Sequence, residues 1–284
     1  MDEYSKLRLG EFYKELRLAR KIKLKDIAKE NLSISQLSKF ETGHSMLSAD
    51  KLLLAINGIH MTLNEFSYAR YDYKPDEFLR ESKHIKTLFE KEDLLALKEK
   101  RHRKTDTVYD RLICLVVAVK IKHLEPSYQV ATEEVNFLYD YLFQIDIWTQ
   151  FELYLFANCL SQFNMEQLRF LSEDLHEKSY RYLGLPAPRR AIRLTYLCLI
   201  EEFIFRQEIQ SSKEAILQLK TILLEENLYE KVILDYLEKY LLLTLGQYEI
   251  DDLMTFINSL DGFNIPHLLN RMRKKLTNKA LRIL

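Results

Sequence analysis

Apolar side chains recur at a helical period almost from the start of the chain. Leu7, Phe12, Leu16 and Ala19 share one face, with Lys14, Arg17, Arg20 and Lys21 on the others, which predicts a first helix. Leu24, Ile27 and Ala28 form the inner edge of a second, short helix entered through Lys23, a weak cap. Asn31-Leu32-Ser33 predicts a turn, because Asn tolerates the left-handed conformation and Ser33 is a good N-cap for the next helix. In this third helix Leu37 and Phe40 point inward, leaving Ser35, Gln36 and Lys39 outward, while Ile34 in the first turn could face either way. Residues 67–74 carry Tyr68, Tyr71 and Tyr73 and precede Pro75, a natural first-turn residue. The tyrosines are expected either to pack a junction between domains or to serve a dimer contact.

Beyond Pro75 the period continues through amphipathic spans at 76–90, 92–103, 105–123, 132–144, 147–162, 165–182, 188–208, 211–226, 228–245, 249–260 and 264–283. Helix pairs at this spacing predict an α-solenoid, each hairpin burying its apolar face on the next, although no strict tetratricopeptide signature occurs. Such arrays have a concave face lined by one helix of each pair. Asn158 sits mid-helix among apolar residues, so its amide is expected either to bond a neighbouring helix or to be offered to a peptide backbone on that face. Arg189, Arg190 and Arg193 open a helix after Pro186-Ala187-Pro188; they could pair with a ligand carboxylate, though arginines so placed are more often a solvated surface.

Composition sharpens the class. Six Gly and five Pro in 284 residues leave little for turns, and the abundant helix formers make the fold all-α. Net charge is zero, so affinity for nucleic acid must come from a local surface, and residues 1–66 hold only 11 Lys/Arg against 9 Asp/Glu. Cys114, Cys159 and Cys198 lie singly in apolar helical runs, as expected for reduced core thiols of a cytoplasmic protein. The first residues lack a leader pattern, and no apolar run is long enough to span a membrane. The seven histidines are scattered singly, and no phosphate loop, zinc helix, nucleophile elbow or CxxC pair occurs, so neither an enzyme, a metal nor a cofactor is expected. The adjacent acids Glu133-Glu134 and Glu201-Glu202 are expected to be solvated. The stretch 270–284, cationic without an acid, is read as a terminal helix capping the array.

The outward face of the third helix, small and polar with one cation, suits a major groove: Ser35 and Gln36 for base edges, Lys39 and Ser33 for phosphates, and Ile34 for a thymine methyl if it faces out. Arg17, Leu24–Ala28 and then Ser33-x-Ser35-Gln36-Leu37-Ser38-Lys39-Phe40-Glu41-x-Gly43 resemble the phage-repressor-like helix-turn-helix of the Cro/C1 or XRE type. Leu47–Ile56 and Ile59–Phe66 resemble the two closing helices of that five-helix domain. The resemblance implies that Arg17 pairs with Glu41, and Arg17 is also grouped with Ser33, Ile34, Ser35, Gln36 and Lys39 as expected at the DNA. A mildly basic reader of this kind is expected to bind double-stranded promoter DNA as a homodimer.

The whole layout resembles the Rgg (Rgg/GadR/MutR) regulators. The resemblance is carried by the spacing from Ile27-Ala28 to Ser33-x-Ser35-Gln36, by Glu65-Phe66-Ser67-Tyr68, by Trp148-x-x-x-Glu152 with Asn158-Cys159, and by the length. It implies a helix-turn-helix domain at 1–66, a linker at 67–74, and a helical-repeat domain at 75–284 that binds a short signalling peptide and dimerises. With no cysteine before Cys114, an inter-subunit disulfide between the DNA-binding domains is excluded. The competing expectation is a helical adaptor or phosphatase-like module acting on a response regulator.

Overall fold

A computed structural model describes residues 9–102 and 107–277. Leu7 and the end of the terminal stretch beyond Thr277 lie outside the described residues. Among these residues all regular structure is helical. By packing, the chain divides into two compact units, one ending at Thr87 and the other beginning at Leu88.

The amino-terminal unit contains α1 (Leu9–Ala19), α2 (Leu24–Ile27), α3 (Ile34–Glu41), α4 (Ala49–Gly58) and α5 (Leu63–Arg70), the first three expected from periodicity and the last two from the helix-turn-helix resemblance. Their core is Phe12, Tyr13, Ile27, Leu32, Leu37, Phe40, Ala55, Ile56, Ile59, Met61, Phe66 and Ala69. Phe12 meets Phe66 edge-on at 5.3 Å, and the Tyr13 hydroxyl donates to the Ala55 carbonyl at 3.0 Å. Helix α1 crosses α3 so closely that a Cβ on Gly10 would lie 1.7 Å from the Phe40 carbonyl oxygen. The turn before α3 differs from the expected form. Asn31 has no positive φ; Lys29 and Leu32 instead exchange two backbone hydrogen bonds of 3.0 and 2.9 Å, and Leu32 is buried as part of the core. Tyr68, Tyr71 and Tyr73 remain largely exposed, with Tyr68 edge-on to Tyr73 at 5.9 Å.

Helix α6 (Glu77–Glu90) holds the division between the units within its span. The second unit continues with α7 (Leu94–Arg101), α8 (Val108–Leu124), α9 (Thr132–Gln144), α10 (Gln150–Cys159) and α11 (Met165–Ser179). It closes with α12 (Pro186–Phe205), α13 (Ile209–Ile222), α14 (Leu228–Thr244), α15 (Ile250–Ser259) and α16 (Pro266–Thr277). Every span expected from Pro75 onward has its helix, with small shifts at the ends. The first turn of α12 accepts Pro186 and Pro188 because the leading N–H groups of a helix have no intrahelical partner to lose.

Helix α12 is the centre of this unit, packing against α10, α13 and α14. Being surrounded, it is apolar on nearly every face, with Ile192, Leu197, Leu199, Ile200, Phe203 and Ile204 buried. This placement overturns the expectation for Glu201 and Glu202, which are buried rather than solvated. Two neighbours on a helix point about 100° apart, so each acid has its own cation. Glu201 meets the buried Lys275 of α16 at 3.0 Å. Glu202 accepts from Arg206 Nε at 2.6 Å, and the same guanidinium donates to the Phe163 and Leu160 carbonyls at 2.8 and 3.1 Å. The terminal helix therefore caps the array through a buried ion pair. Of the other acidic pair, Glu133 is exposed, whereas Glu134 is half-buried and accepts from Arg101 at 2.6 Å.

The string Trp148 to Glu152 is structural. The Trp148 indole is buried and donates to the Leu142 carbonyl at 3.2 Å, and its backbone N–H donates to the Lys178 carbonyl at 2.8 Å. Glu152 closes a capping box on Thr149, accepting at 2.8 and 2.7 Å, and takes the Tyr141 hydroxyl at 2.8 Å. Together they join α9, α10 and α11.

Removing one member of a buried pair leaves a charge without compensation. Lys275→Met should therefore destabilise the second unit by about 3–5 kcal/mol, whereas Lys275→Met with Glu201→Leu should recover most of that loss. Trp148 is the only tryptophan and lies in this unit, so denaturation followed by its fluorescence measures both variants.

Candidate functional site

Two groups of candidate side chains lie in separate units, the first on and around α3. Ser33 has extended backbone and caps α3: its hydroxyl accepts from the Gln36 N–H at 3.2 Å, and its own N–H donates to Gln36 Oε1 at 3.1 Å. The far end closes on Gly43, whose φ of 72° lets the chain turn back so that the His44 N–H reaches the Lys39 carbonyl at 2.8 Å. Helix α3 is thus fixed at both ends.

Arg17 anchors it from below. The guanidinium donates from Nε and Nη2 to the two Glu41 oxygens at 2.6 and 2.7 Å and from Nη1 to the Ile22 carbonyl at 2.7 Å. Arg17 and Glu41 are both buried, 7% and 4% exposed, and the carboxylate holds the guanidinium pKa above its usual value. A forked guanidinium fits such a site because its donors match the two carboxylate oxygens. The pairing is the one implied by the helix-turn-helix resemblance. It also corrects the grouping of Arg17 with side chains offered to DNA, since its donors are turned inward.

Among the remaining α3 candidates, Ser35 and Lys39 are exposed. Ile34 is 49% exposed, which settles its direction: it does not pack into the core. Gln36 is half-buried, and its carbonyl oxygen accepts from the Ser33 N–H, which leaves its amide N–H2 and one oxygen lone pair. Ser38 is also exposed. With Ser35, Lys39 and Thr42 it completes a stripe at i, i+3, i+4 and i+7, a spacing legible in the sequence once Leu37 and Phe40 are taken as the buried positions.

In the second unit the candidates do not form one cluster. Asn158 is half-buried, and its Nδ2 donates to the Tyr154 carbonyl at 2.8 Å within its own helix; among the described residues it bonds neither a neighbouring helix nor any of the arginines. On α12, Arg190 is exposed and Arg193 buried, and both approach Glu230 Oε1 of α14, at 3.8 and 3.5 Å. The expectation of a solvated arginine surface therefore fails for Arg193. Cys114 and Cys159 are buried free thiols, and burial pushes the Cys159 pKa up to about 12, so it is held as an uncharged core group. No cluster of potential metal ligands occurs among the described residues.

These features coincide with similarity to known proteins. Residues 94–274 match the family model described as the C-terminal domain of the HTH-type transcriptional regulator Rgg. The fold is shared with the Rgg2 SHP pheromone receptor of Streptococcus dysgalactiae, with a TM-score of 0.80 and 22% identity over 96% of this chain and 100% of that one. A transcriptional regulator of Listeria monocytogenes EGD-e superposes with a TM-score of 0.78 and 17% identity, covering 96% of both chains. A bacterial peptide pheromone/receptor complex gives 0.66 and 14% identity, over 95% of this chain and 97% of that one.

The cap and the anchor can be separated experimentally. Ser33→Ala should cost about 1 kcal/mol and speed amide exchange in α3. Gln36→Glu, the other usual partner in a capping box, should leave that exchange unchanged. Hydrogen exchange resolved by mass spectrometry measures both.

Proposed function

The chain belongs to the Rgg transcriptional regulators, and from that premise we propose that it binds promoter DNA through α3 and changes that binding, or transcription from it, when a short signalling peptide occupies its helical-repeat unit. The active form is a homodimer in the cytoplasm that places one α3 in each half of a two-fold site. Functionally the chain divides into a reader at 1–66, a linker at 67–74 and a sensor and dimerisation domain at 75–284. No catalytic step is assigned to it.

The observation that carries the DNA-binding reading is the exposed polar stripe on a helix capped at both ends and anchored by a buried ion pair. Ser35 and Ser38 are small enough to approach base edges, Lys39 and the Ser33 end of the helix suit phosphates, and Ile34 suits a thymine methyl. Gln36 spends one lone pair of its oxygen on the cap and keeps its amide N–H2 and the second lone pair for a base edge. Lys39→Ala should weaken binding to all sequences alike and lower the slope of log affinity against log salt by about one per subunit contact. Ser35→Ala with Ser38→Ala should relax sequence preference by roughly 1–3 kcal/mol. Salt-titrated anisotropy on specific and scrambled duplexes separates the two, and unchanged specificity in the double variant would sink the assignment of this stripe.

Support for the peptide comes from the likeness in fold to a pheromone receptor and to a peptide pheromone/receptor complex. Asn158, Arg189, Arg190 and Arg193 are its proposed contacts. Calorimetry of the full chain with apolar peptides encoded beside its gene should give saturable binding. If none of them binds, the peptide reading is lost while the DNA reading stands.

A further inference from the structure

Three polar groups on one face of α12 are left without partners. Arg189, Arg193 and Tyr196 recur at i, i+4 and i+7, one stripe of the helix. The Nε of each arginine and the Tyr196 hydroxyl are buried and have no hydrogen-bond partner among the described residues. Arg193 and Tyr196 are only 6% and 2% exposed. Buried donors are nearly always satisfied, because an unmade bond leaves the whole cost of desolvation uncompensated. Here three donors share one stripe, and all three call for an acceptor.

The nearby carboxylate does not meet that demand. Glu230 is buried, yet its distances of 3.5 Å to Arg193 and 3.8 Å to Arg190 exceed the roughly 2.7–2.9 Å of a charge-assisted hydrogen bond. Elsewhere in the protein buried pairs close fully, with Arg17–Glu41 at 2.6 Å and Arg206–Glu202 at 2.6 Å. Glu230 neutralises part of the charge without binding in the guanidinium fork. Burial raises the Tyr196 pKa to about 12, which keeps the hydroxyl a proton donor at every physiological pH.

We propose that Arg189, Arg193 and Tyr196 form a carboxylate-binding subsite on α12, with Glu230 as the internal anion that an incoming carboxylate displaces. Its ligand is a carboxylate of the peptide, either the free C-terminus or an acidic side chain. The subsite rests on the peptide-binding reading for its occupant but not for its chemistry.

The test uses the full chain and three probes: the tripeptide acetyl-Leu-Val-Gly as the free acid, the same peptide as its C-terminal amide, and acetyl-Asp-Leu-Val-amide, whose only carboxylate is a side chain. Arginine Nε–H resonances are followed by NMR. At least one carboxylate probe should shift the Arg189 and Arg193 signals saturably, and the probe that does so identifies the source. The uncharged amide should bind roughly 10-fold or more weakly. Tyr196→Phe and Arg193→Lys should each lower carboxylate affinity roughly 10-fold, while loss of an exposed arginine assigned to no site, Arg181→Ala, changes it less than about twofold. Glu230→Gln should tighten binding several-fold, an effect that a merely structural carboxylate would not produce. If Arg193→Lys fails to fold, Tyr196→Phe and Glu230→Gln carry the test, since both preserve volume. No saturable shift with either carboxylate, equal binding of the amide, or an equal loss in Arg181→Ala would overturn the proposal. In any of those cases calorimetry with longer peptides still decides separately whether a peptide binds.

Discussion

Buried charge is tolerated here where a counter-charge or a set of donors meets it at bonding distance. Arg17 enters the amino-terminal core only because Glu41 takes two of its donors and the Ile22 carbonyl a third. The arrangement joins α1, the loop after it and the last turn of α3, three segments that the apolar core alone could hold in several rotations about the helix axes. Hydrophobic burial is non-directional, whereas a guanidinium fork admits one orientation of the carboxylate. The direction in which Ser35, Ser38 and Lys39 point is thus set from inside the unit. In the second unit Lys275 with Glu201 and Arg206 with Glu202 play the same part, fixing the terminal helix and the turn after α10 onto the two sides of α12.

How much of this the sequence reveals depends on the range of the interaction concerned. Helix positions follow from apolar spacing and from caps such as Ser33 and Thr62, both local, and the helices from α6 onward appear where the spacing puts them. What fails is whatever depends on a partner distant in the chain. Glu201 and Glu202 look solvated because an acidic pair on a helix usually is. Their burial follows from the central position of α12, and Lys275, the partner of Glu201, lies 74 residues further on. Arg189, Arg190 and Arg193 look alike in sequence, yet Arg193 is buried against α14 while Arg190 stays outside. Arg17 is legible as the partner of Glu41 only through resemblance, since its own periodicity puts it off the apolar face.

Gln36 shows the same limit within a few residues. An outward Gln at the start of a recognition helix suits adenine, because its amide offers a donor and an acceptor side by side. Three residues after Ser33, however, it is also the closing member of a capping box, and in the folded chain its oxygen serves the Ser33 N–H. Both readings are available from the same spacing, and because an amide oxygen has two lone pairs the cap takes one acceptor position without excluding the other role. Ser38 is the converse: it stands between two buried residues, Leu37 and Phe40, which hides it from a reading of the apolar face, yet it falls on the exposed stripe.

A sensor has to hold two arrangements of comparable free energy, and a ligand shifts them only by the difference in its affinity for each. Fully closed pairs such as Arg17–Glu41 are poor material for this, because opening one exposes a desolvated charge at a cost of about 3–5 kcal/mol, near the whole of what a ligand supplies. A loose pair is different. Glu230 already stands outside the fork of Arg193, and unmade bonds to Arg189, Arg193 and Tyr196 raise the free energy of this arrangement by about 1–3 kcal/mol apiece. An acceptor that fills them therefore gains differential affinity without first breaking a strong contact. The second unit is built around a buried charge that its own fold leaves incompletely matched, while the first is held by a pair that leaves α3 no alternative direction.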